Sequence, residues 1–428
     1  MSIFIESERL VLRELSESDL TAASSNSTIK LLNYEDLGDF WELHDGYYPN
    51  DKQRRVEWFN LLATTLPEFD YYGAYRNGKM VGGMALSDCK LNLRSQIIKL
   101  ASVGMLRTDM LHKKEKICKD MMEYFNETSR QRGINMLTLS PFRPDFYKKM
   151  GFGYGSSLYQ YQISPLNFPN TGSKECLSYL DNSDRKEYNE SYNMVFELNH
   201  GMINSEMKET WFLNGLEEDG KRTLVYKENE KIRGGLIYAS WNDREMVIVD
   251  MFYEEVKVLY AFCAFIHSQS DEFDRISFST PDEHFYYLLS DPSNGKAENE
   301  YCTNVVKNMF RVINVPGLFN ELSDVNFHNQ NAVLEIHVND TFCPPNNGIT
   351  VVKFVDGKVA VCEFDTIDSK NHTKIKIDIA DFSSLIMGAI SATMLYRLGL
   401  LGIESTADLD LLDRIFTIGQ KPLSVGGL

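Results

Sequence analysis

The strongest constraint on the fold is a hairpin pattern in the first third of the chain. Two runs with alternating apolar residues, Tyr71–Arg76 and Lys79–Leu86, flank Asn77-Gly78. This dipeptide accepts the positive φ angles of a tight two-residue turn. A third predicted strand, Gln96–Arg107, follows after a polar loop. Three antiparallel strands are therefore expected before the first long helix.

The helix after these strands ends at a glycine. Lys113–Arg132 repeats its apolar residues at spacings of three and four, and Gly133 stands where a left-handed cap is needed. Met136–Leu139 then predicts a short buried strand. Earlier in the chain, residues 3–14 alternate like an edge strand and Ser16 is a candidate helix cap. The predicted order is strand, strand, strand, helix, strand, helix.

A second unit, from about residue 172 to 301, repeats part of this plan. Strands are predicted at Arg222–Glu228, Ile232–Trp241 and Met246–Met251. A helix at Glu254–Ser268 and a strand at Arg275–Ser279 follow. The repeat predicts a second copy of the same fold, in which no active-site motif is visible.

A third unit starts at about residue 304. Its strands are predicted at Ala332–Val338, Gly348–Val355, Lys358–Phe364 and Ile375–Ile379, and Asp381–Met394 is predicted to be one helix. An antiparallel sheet with helices on one side is the natural packing of such elements. The predicted fold class is α+β with mixed sheets.

Charge limits the partners. The chain has 428 residues, which favours two or three domains, and a formal net charge of -17. This acidic balance argues against binding to nucleic acid, and it would attract cations such as polyamines or amino sugars. We therefore expect a small-molecule amine as the partner and no nucleic acid.

Cysteine and histidine spacing excludes other classes. The seven cysteines form no C-x-x-C pair, which predicts a reducing, cytoplasmic compartment. The eight histidines show no ligand spacing, so no metal site is expected. No signal peptide and no apolar run of about eighteen residues is visible, so no membrane association is expected.

The segment from Ile97 to Gly155 carries the chemistry. A strand feeds a basic loop that opens a helix, which places backbone N–H groups and the positive helix end at one point. Lys113, Lys114 and Lys116 add charge there. The arrangement suits a pyrophosphate. A solvated cationic helix start is the alternative interpretation.

This strand-loop-helix resembles the acyl-CoA-binding motif of GNAT acetyltransferases, in which an R/Q-x-x-G-x-G/A turn cradles the CoA pyrophosphate. Residues 112–118, HKKEKIC, occupy that turn, with lysines where arginines are usual and Lys116 where glycine is usual. The resemblance implies acetyl-CoA as the acetyl donor. It assigns acetyl-CoA to the backbone of Leu106, Arg107 and Thr108 and to Lys113, Lys114, Lys116, Ile117 and Cys118.

The segment PFRPDFYKKMGFGYG resembles the P-F-x-x-x-F-Y-x-x-x-G-[FY] pattern of the "enhanced intracellular survival" (Eis) subgroup of that family. In such enzymes the tyrosine protonates the departing CoA thiolate, and that residue would be Tyr147. A phenol can donate a proton to sulfur within hydrogen-bond reach. The alternative is an aromatic core residue of a short helix.

The subgroup also uses the carboxylate of the last residue as the base for the acceptor amine. The ending LLDRIFTIGQKPLSVGGL resembles the expected one, which makes the Leu428 carboxylate the candidate base. The chain ends in Gly426-Gly427-Leu428 rather than on an aromatic residue. A frayed terminus is the alternative.

The resemblance implies a three-domain architecture: an N-terminal GNAT domain (1–165), a degenerate second GNAT domain (166–303) and a domain like sterol carrier proteins (304–428). The implied activity is N-acetyl transfer to amines such as polyamines or aminoglycoside-like molecules by direct attack, in a homohexamer. A non-catalytic CoA- or lipid-binding protein with a decayed site is the alternative.

Overall fold

The computed structural model describes most of the chain. The described residues are 27–33, 36–45, 69–205, 220–242, 244–292, 301–364 and 372–424. The strand and the helix cap predicted before residue 17 lie outside them. No helix in these ranges is both long enough and apolar enough to cross a membrane.

Strands and helices alternate along the described ranges, and both are numbered in chain order. The strands are β1 (Thr28–Leu31), β2 (Phe69–Arg76), β3 (Lys79–Leu93), β4 (Gln96–Thr108), β5 (Met136–Leu139), β6 (Gly153–Tyr154), β7 (Ser157–Ile163), β8 (Leu177–Tyr179), β9 (Ile203–Asn204), β10 (Lys221–Glu228), β11 (Lys231–Asn242), β12 (Glu245–Tyr253), β13 (Arg275–Thr280), β14 (Tyr301–Val306), β15 (Met309–Val312), β16 (Ala332–Asn339), β17 (Gly348–Val355), β18 (Lys358–Phe364), β19 (Thr373–Asp378) and β20 (Leu401–Ile403). The α-helices are α1 (Leu37–Asp45), α2 (Ile117–Gln131), α3 (Pro144–Lys148), α4 (Arg185–Leu198), α5 (Val256–His267), α6 (Val315–Glu321), α7 (Ile379–Ile386), α8 (Ala392–Arg397) and α9 (Leu409–Phe416).

Two tight turns build the first meander. Asn77 and Gly78 have φ angles of 50° and 77°, as the predicted hairpin requires. The link from β3 to β4 is also a two-residue turn, because Arg94 and Ser95 have φ angles of 57° and 65°. The predicted polar loop is therefore absent, and its residues lengthen β3.

The first sheet has the strand order β1-β2-β3-β4-β5-β15-β6, with β9 added at the end of β3. All its pairs are antiparallel except β4 with β5. The second sheet has the order β14-β7-β13-β12-β11-β10-β8, and its one parallel pair is β12 with β13. Both sheets thus contain three antiparallel strands, a helix and a parallel return strand, as the repeat predicted.

The two sheets exchange strands. β7 lies within the predicted first unit (1–165) in sequence but belongs to the second sheet, between β14 and β13. β15 lies beyond the second unit in sequence but completes the first sheet, between β5 and β6. The domain boundaries at 165 and 303 stay a prediction, and the sheets do not follow them.

The third sheet has the order β18-β17-β16-β19-β20, with β16 and β19 parallel. The single helix predicted at Asp381–Met394 is wrong. Gly388 takes a φ of 65° and Ser391 accepts a hydrogen bond from the Met394 N–H, so the segment divides into α7 and α8.

The largest apolar core joins the third unit to the first. Leu91, Leu100 and Phe310 of the first sheet belong to the same buried cluster as Phe382 and Leu385 of α7. A core shared in this way holds α7 against the strands that carry the candidate site.

Candidate active site

A gap opens between two parallel strands of the first sheet. β4 and β5 are in register only at Ala101 with Leu137 and at Ser102 with Thr138. β4 continues to Thr108 beside β3. In the described chain no strand pairs with β4 on that side beyond Ser102, so β4 makes no inter-strand hydrogen bonds along this part of its edge.

A bulge shapes β4 at this gap. The register with β3 shifts between Gly83 and Ala85, and Met105 has a φ of 48°. His44 of α1 lies with Nδ1 2.7 Å from the Phe40 carbonyl and Nε2 2.8 Å from the Met105 carbonyl. Burial, as the main cause, lowers the pKa of His44 below 6.5. A neutral ring donates to only one of the two carbonyls.

Two glycines let helices approach the bulge from both faces of β3. A Cβ at Gly82 would lie 2.7 Å from Ile117 of α2, and one at Gly83 would lie 2.7 Å from Phe40 of α1. The sequence Gly-Gly therefore sets the distance of both helices from the strand next to the gap.

The basic loop after β4 has an unusual backbone. Lys114 and Lys116 have φ angles of 67° and 65°. Residues with a side chain pay roughly 1 kcal/mol or more for this left-handed region. Helix α2 therefore starts at Ile117, four residues later than predicted. Lys116 replaces the glycine of the motif but keeps the backbone conformation that glycine favours.

Helix α2 begins with a buried residue, whereas the loop before it carries basic residues. Ile117 is buried, and burial raises the pKa of Cys118 to about 12, so its thiol is neutral at physiological pH. The first N–H groups of a helix lack intrahelical acceptors. With three lysines in the loop before them, they give this corner a positive electrostatic potential.

Tyr147 lies in α3, just beyond the end of β5. Its side chain is buried against Phe142, Phe146 and Phe152, with ring centroids 5.3 to 6.2 Å away. Burial first, and the nearby Cys118 second, raise the pKa of Tyr147 well above its ordinary value. The phenol is therefore protonated at neutral pH and can act as a proton donor.

The turn after Tyr147 is held by a residue of the exchanged strand. Arg311 of β15 is fully buried, and its Nη1 donates to the Met150 carbonyl at 2.5 Å. Its Nη2 donates to both carboxylate oxygens of Asp340 at 2.9 Å. The third unit thus contacts the end of α3 through a buried ion pair.

The structure brings the predicted site residues to one corner. Tyr147 belongs to the buried cluster against which Leu106 and Cys118 pack, and Ile117 lies in the same cluster. Arg107 and Thr108 pair with β3 at the end of β4. Lys113, Lys114 and Lys116 form the loop between these elements. Leu428 lies outside the described residues.

Family models match all three units. The model of the GNAT acetyltransferase domain matches residues 28–155, and a second GNAT acetyltransferase model matches residues 205–312. A sterol carrier protein domain matches residues 320–424. The chain is a GNAT acyltransferase with a C-terminal sterol carrier protein domain.

Solved structures share the whole fold of this GNAT protein. A conserved protein of unknown function from Enterococcus faecalis V583, a probable N-acyltransferase, has a TM-score of 0.79 at 15% identity, over 94% of this chain and 100% of its own. A GCN5-related N-acetyltransferase from Anabaena variabilis has a TM-score of 0.78 at 15% identity, over 93% and 99%. Eis1 from Mycobacterium abscessus has a TM-score of 0.73 at 17% identity, over 94% and 100%. No curated protein sequence gives a significant match.

The second GNAT copy lacks the basic corner. Its strand β12 reaches α5 through Glu254 and Glu255 alone. Glu254 accepts a hydrogen bond from Arg233 at 2.8 Å and one from Ser191 at 3.1 Å. Two carboxylates at a helix N-terminus repel a phosphate, and the described connection between β12 and α5 is thus acidic where that of the first copy is basic.

Sequence reasoning missed three residues around the GNAT site. His44 contacts the β4 bulge, Arg311 contacts the turn after Tyr147, and Arg76 contacts the basic loop. Each lies at least 39 positions from its partner in the chain. A local motif cannot signal such contacts.

The described GNAT site contains no cluster of three or more His, Cys, Asp or Glu side chains arranged to hold a metal ion. The absence of a metal stays a prediction.

Proposed function

We propose that this protein transfers the acetyl group of acetyl-CoA directly to a cationic amine. The observation that carries the proposal is the corner where the gap beside β4, the left-handed basic loop and the protonated Tyr147 meet. GNAT domains imply acetyl-CoA as the donor. The loop lysines and the first N–H groups of α2 would bind its pyrophosphate. The backbone of residues 106–108 would hold the pantetheine arm and the acetyl carbonyl.

The reaction needs one attack and two proton transfers. An uncharged amine nitrogen of the acceptor attacks the thioester carbon, and the C–S bond breaks as the new C–N bond is completed. The phenol of Tyr147 donates its proton to the leaving thiolate, since burial keeps the phenol protonated. The amine gives its proton to a base, and no covalent enzyme intermediate forms.

The base that we propose is the carboxylate of Leu428. This assignment rests on the resemblance of the chain ending; the described part of the tail contacts the first and second units at the end of β4 opposite to residues 106–108. The Leu423 N–H donates to the His200 carbonyl at 3.0 Å. A Cβ at Gly201 would lie 2.4 Å from Pro422. The Gly201 N–H donates to the Asn92 carbonyl at the end of β3. The tail is therefore bound near the turn between β3 and β4.

The acceptor class follows from charge. A net charge of -17 raises the local concentration of polyamines or aminoglycoside-like molecules around the protein. We also propose a homohexamer in the cytoplasm. The seven cysteines are all free, which accords with a reducing compartment.

The test is acetyl-CoA binding by calorimetry followed by thiol release with a panel of polyamines and aminoglycosides. Saturable binding and amine-dependent thiol release are expected. Absence of binding would contradict the proposal. A chain ending at Ser424 is expected to bind acetyl-CoA like the full chain but to release thiol at least a hundredfold more slowly. Equal rates would exclude Leu428 as the base.

A further inference from the structure

The basic loop before α2 is bound by a residue that lies outside the family motif. Arg76 is the last residue of β2, next to the Asn77-Gly78 turn. Its Nη1 lies 2.6 Å from the Glu115 carboxylate, and its Nη2 donates to the Glu115 backbone carbonyl at 2.8 Å. His112 Nδ1 lies 3.1 Å from the same carboxylate. We call Arg76, Glu115 and His112 the Arg76 clamp.

The clamp acts at the one residue between the two strained lysines. Glu115 separates Lys114 and Lys116, whose φ angles are both positive. A single guanidinium binds the side chain and the main chain of Glu115 together. A third hydrogen bond, from Arg76 Nε to the Ser27 hydroxyl at 3.0 Å, fixes the guanidinium itself. The clamp therefore restricts the backbone torsions on both sides of Glu115.

Peptide geometry extends this restriction to a ligand-binding group. In a trans peptide the carbonyl and the following N–H point in opposite directions. Because Arg76 draws the Glu115 carbonyl towards β2, the Lys116 N–H points away from β2. The Lys116 carbonyl meanwhile accepts the Asp120 N–H at 3.0 Å and starts α2. Both sides of Lys116 are thus oriented before any ligand binds.

We propose that Arg76 is a positioning residue for acyl-CoA binding: it holds the loop in the conformation that turns the Lys116 N–H to the pyrophosphate. The inference rests on the proposed function of this loop. It also explains how the chain uses lysine at a position where glycine is usual. Glycine adopts the left-handed region without a side-chain penalty, and the clamp gives Lys116 the same conformation by holding its neighbour.

The first experiment distinguishes the hydrogen-bond geometry of Arg76 from its positive charge. Arg76→Lys keeps the positive charge but loses the planar set of donors that binds a carbonyl and a carboxylate together. Calorimetry with acetyl-CoA should show about tenfold weaker binding for this variant. The matched control is Arg244→Lys, which alters an exposed Arg–Asp pair of the second copy, where Arg244 Nε is 2.7 Å from Asp274. The control should bind like the wild type. Unchanged binding by Arg76→Lys would overturn the proposal.

The second experiment asks whether the clamp and residue 116 act on the same torsions. In a Lys116→Gly background, Arg76→Lys should weaken binding by about threefold or less, since glycine needs less restraint. A tenfold loss in both backgrounds would show that Arg76 acts independently of the loop conformation, and would overturn the proposal.

Hydrogen exchange separates this inference from the proposed function. In the ligand-free protein, Arg76→Lys should raise amide exchange at residues 113–118 at least fivefold, while Arg244→Lys leaves it unchanged. If the wild type failed to bind acetyl-CoA but this increase appeared, the proposed function would fail together with the role of Arg76 in acyl-CoA binding, while the hold of Arg76 on the loop conformation would stand. Equal exchange in both variants would overturn the positioning role.

Discussion

The two GNAT copies have the same strand order, but the connection from the last antiparallel strand to the helix is basic in the first copy and acidic in the second. In the first copy, eight residues with three lysines connect β4 to α2, and two of those lysines are left-handed. In the second, two glutamates connect β12 to α5, and Glu254 is bound to Arg233. The tyrosines that follow the parallel strands also differ, since Tyr147 is buried and Tyr286 is exposed beside Tyr287. The two copies thus share a fold but differ in the charge and the backbone conformation of this connection.

The largest expected effect compares these two tyrosines. Tyr147→Phe should lower kcat by about a thousandfold, within the range for loss of a general acid, and leave acetyl-CoA affinity within twofold. Tyr286→Phe is the matched control, because Tyr286 also follows a phenylalanine after the parallel strand of its own sheet. Steady-state kinetics and calorimetry measure both. Equal losses of kcat in the two variants would remove the distinction between the copies.

The next test makes the basic loop of the first copy acidic, like the connection between β12 and α5 in the second copy. Changing Lys113, Lys114 and Lys116 together to glutamate should weaken acetyl-CoA binding by roughly a hundredfold, about 2.7 kcal/mol, as charge-assisted hydrogen bonds are lost. Calorimetry at low and high salt measures the change. A loss below about threefold would mean that the loop does not bind the pyrophosphate.

A third test concerns the tail, whose Leu423 N–H donates to the His200 carbonyl and whose Leu423 side chain packs against buried residues of the second copy. His200 Nδ1 accepts from the Arg94 N–H at 3.2 Å, and Nε2 lies 3.0 Å from the Met387 carbonyl, so a neutral ring satisfies both contacts. Burial, as the main cause, lowers the pKa of His200 from 6.5 to about 4. Between these values the unfolded chain binds a proton that the folded chain does not, so stability falls as pH falls from 6.5 towards 4.

Because His200 binds a proton only in the unfolded chain at pH 5, the free energy of unfolding should be about 2 kcal/mol lower at pH 5 than at pH 7. His200→Gln, which can still donate and accept, should remove that part of the pH dependence. Urea unfolding of both proteins at pH 5 and pH 7 measures it. An identical pH dependence in the variant would show that His200 does not titrate as its burial requires.

The smallest effect is expected when a positive charge is introduced into the second copy. Glu255→Lys puts a cation at the start of α5, but the short link and the Arg233–Glu254 pair remain. Acetyl-CoA affinity and stoichiometry should stay unchanged within error, by calorimetry. A second binding event would show that charge alone, without the left-handed loop, creates the site.

Local chemistry predicted the elements of the fold and much of the site. Asn77-Gly78 encodes its turn directly, and β5 lies at Met136–Leu139 as predicted. The start of α2 was predicted too early because lysine gives no sign of a left-handed conformation. That conformation depends on Arg76, 39 positions earlier in the chain.

The exchanged strand could not be predicted for a related reason. β15 has only four residues, and nothing in Met309–Val312 tells which sheet it joins. Its pairing with β5 is decided by contacts across more than 170 positions, including the bond from Thr138 to the Met309 carbonyl. The site residues came from motif resemblance, whereas the residues that hold them came only from the structure.

Strand exchange also affects how the protein is made. The sheet that holds Tyr147 stays incomplete until Val312 has been synthesised, because β15 lies between β5 and β6. The N-terminal GNAT unit therefore cannot finish folding on the ribosome before most of the second unit has emerged. The two copies therefore complete their folding together. A nascent chain that ends between them would leave the edge of β5 exposed.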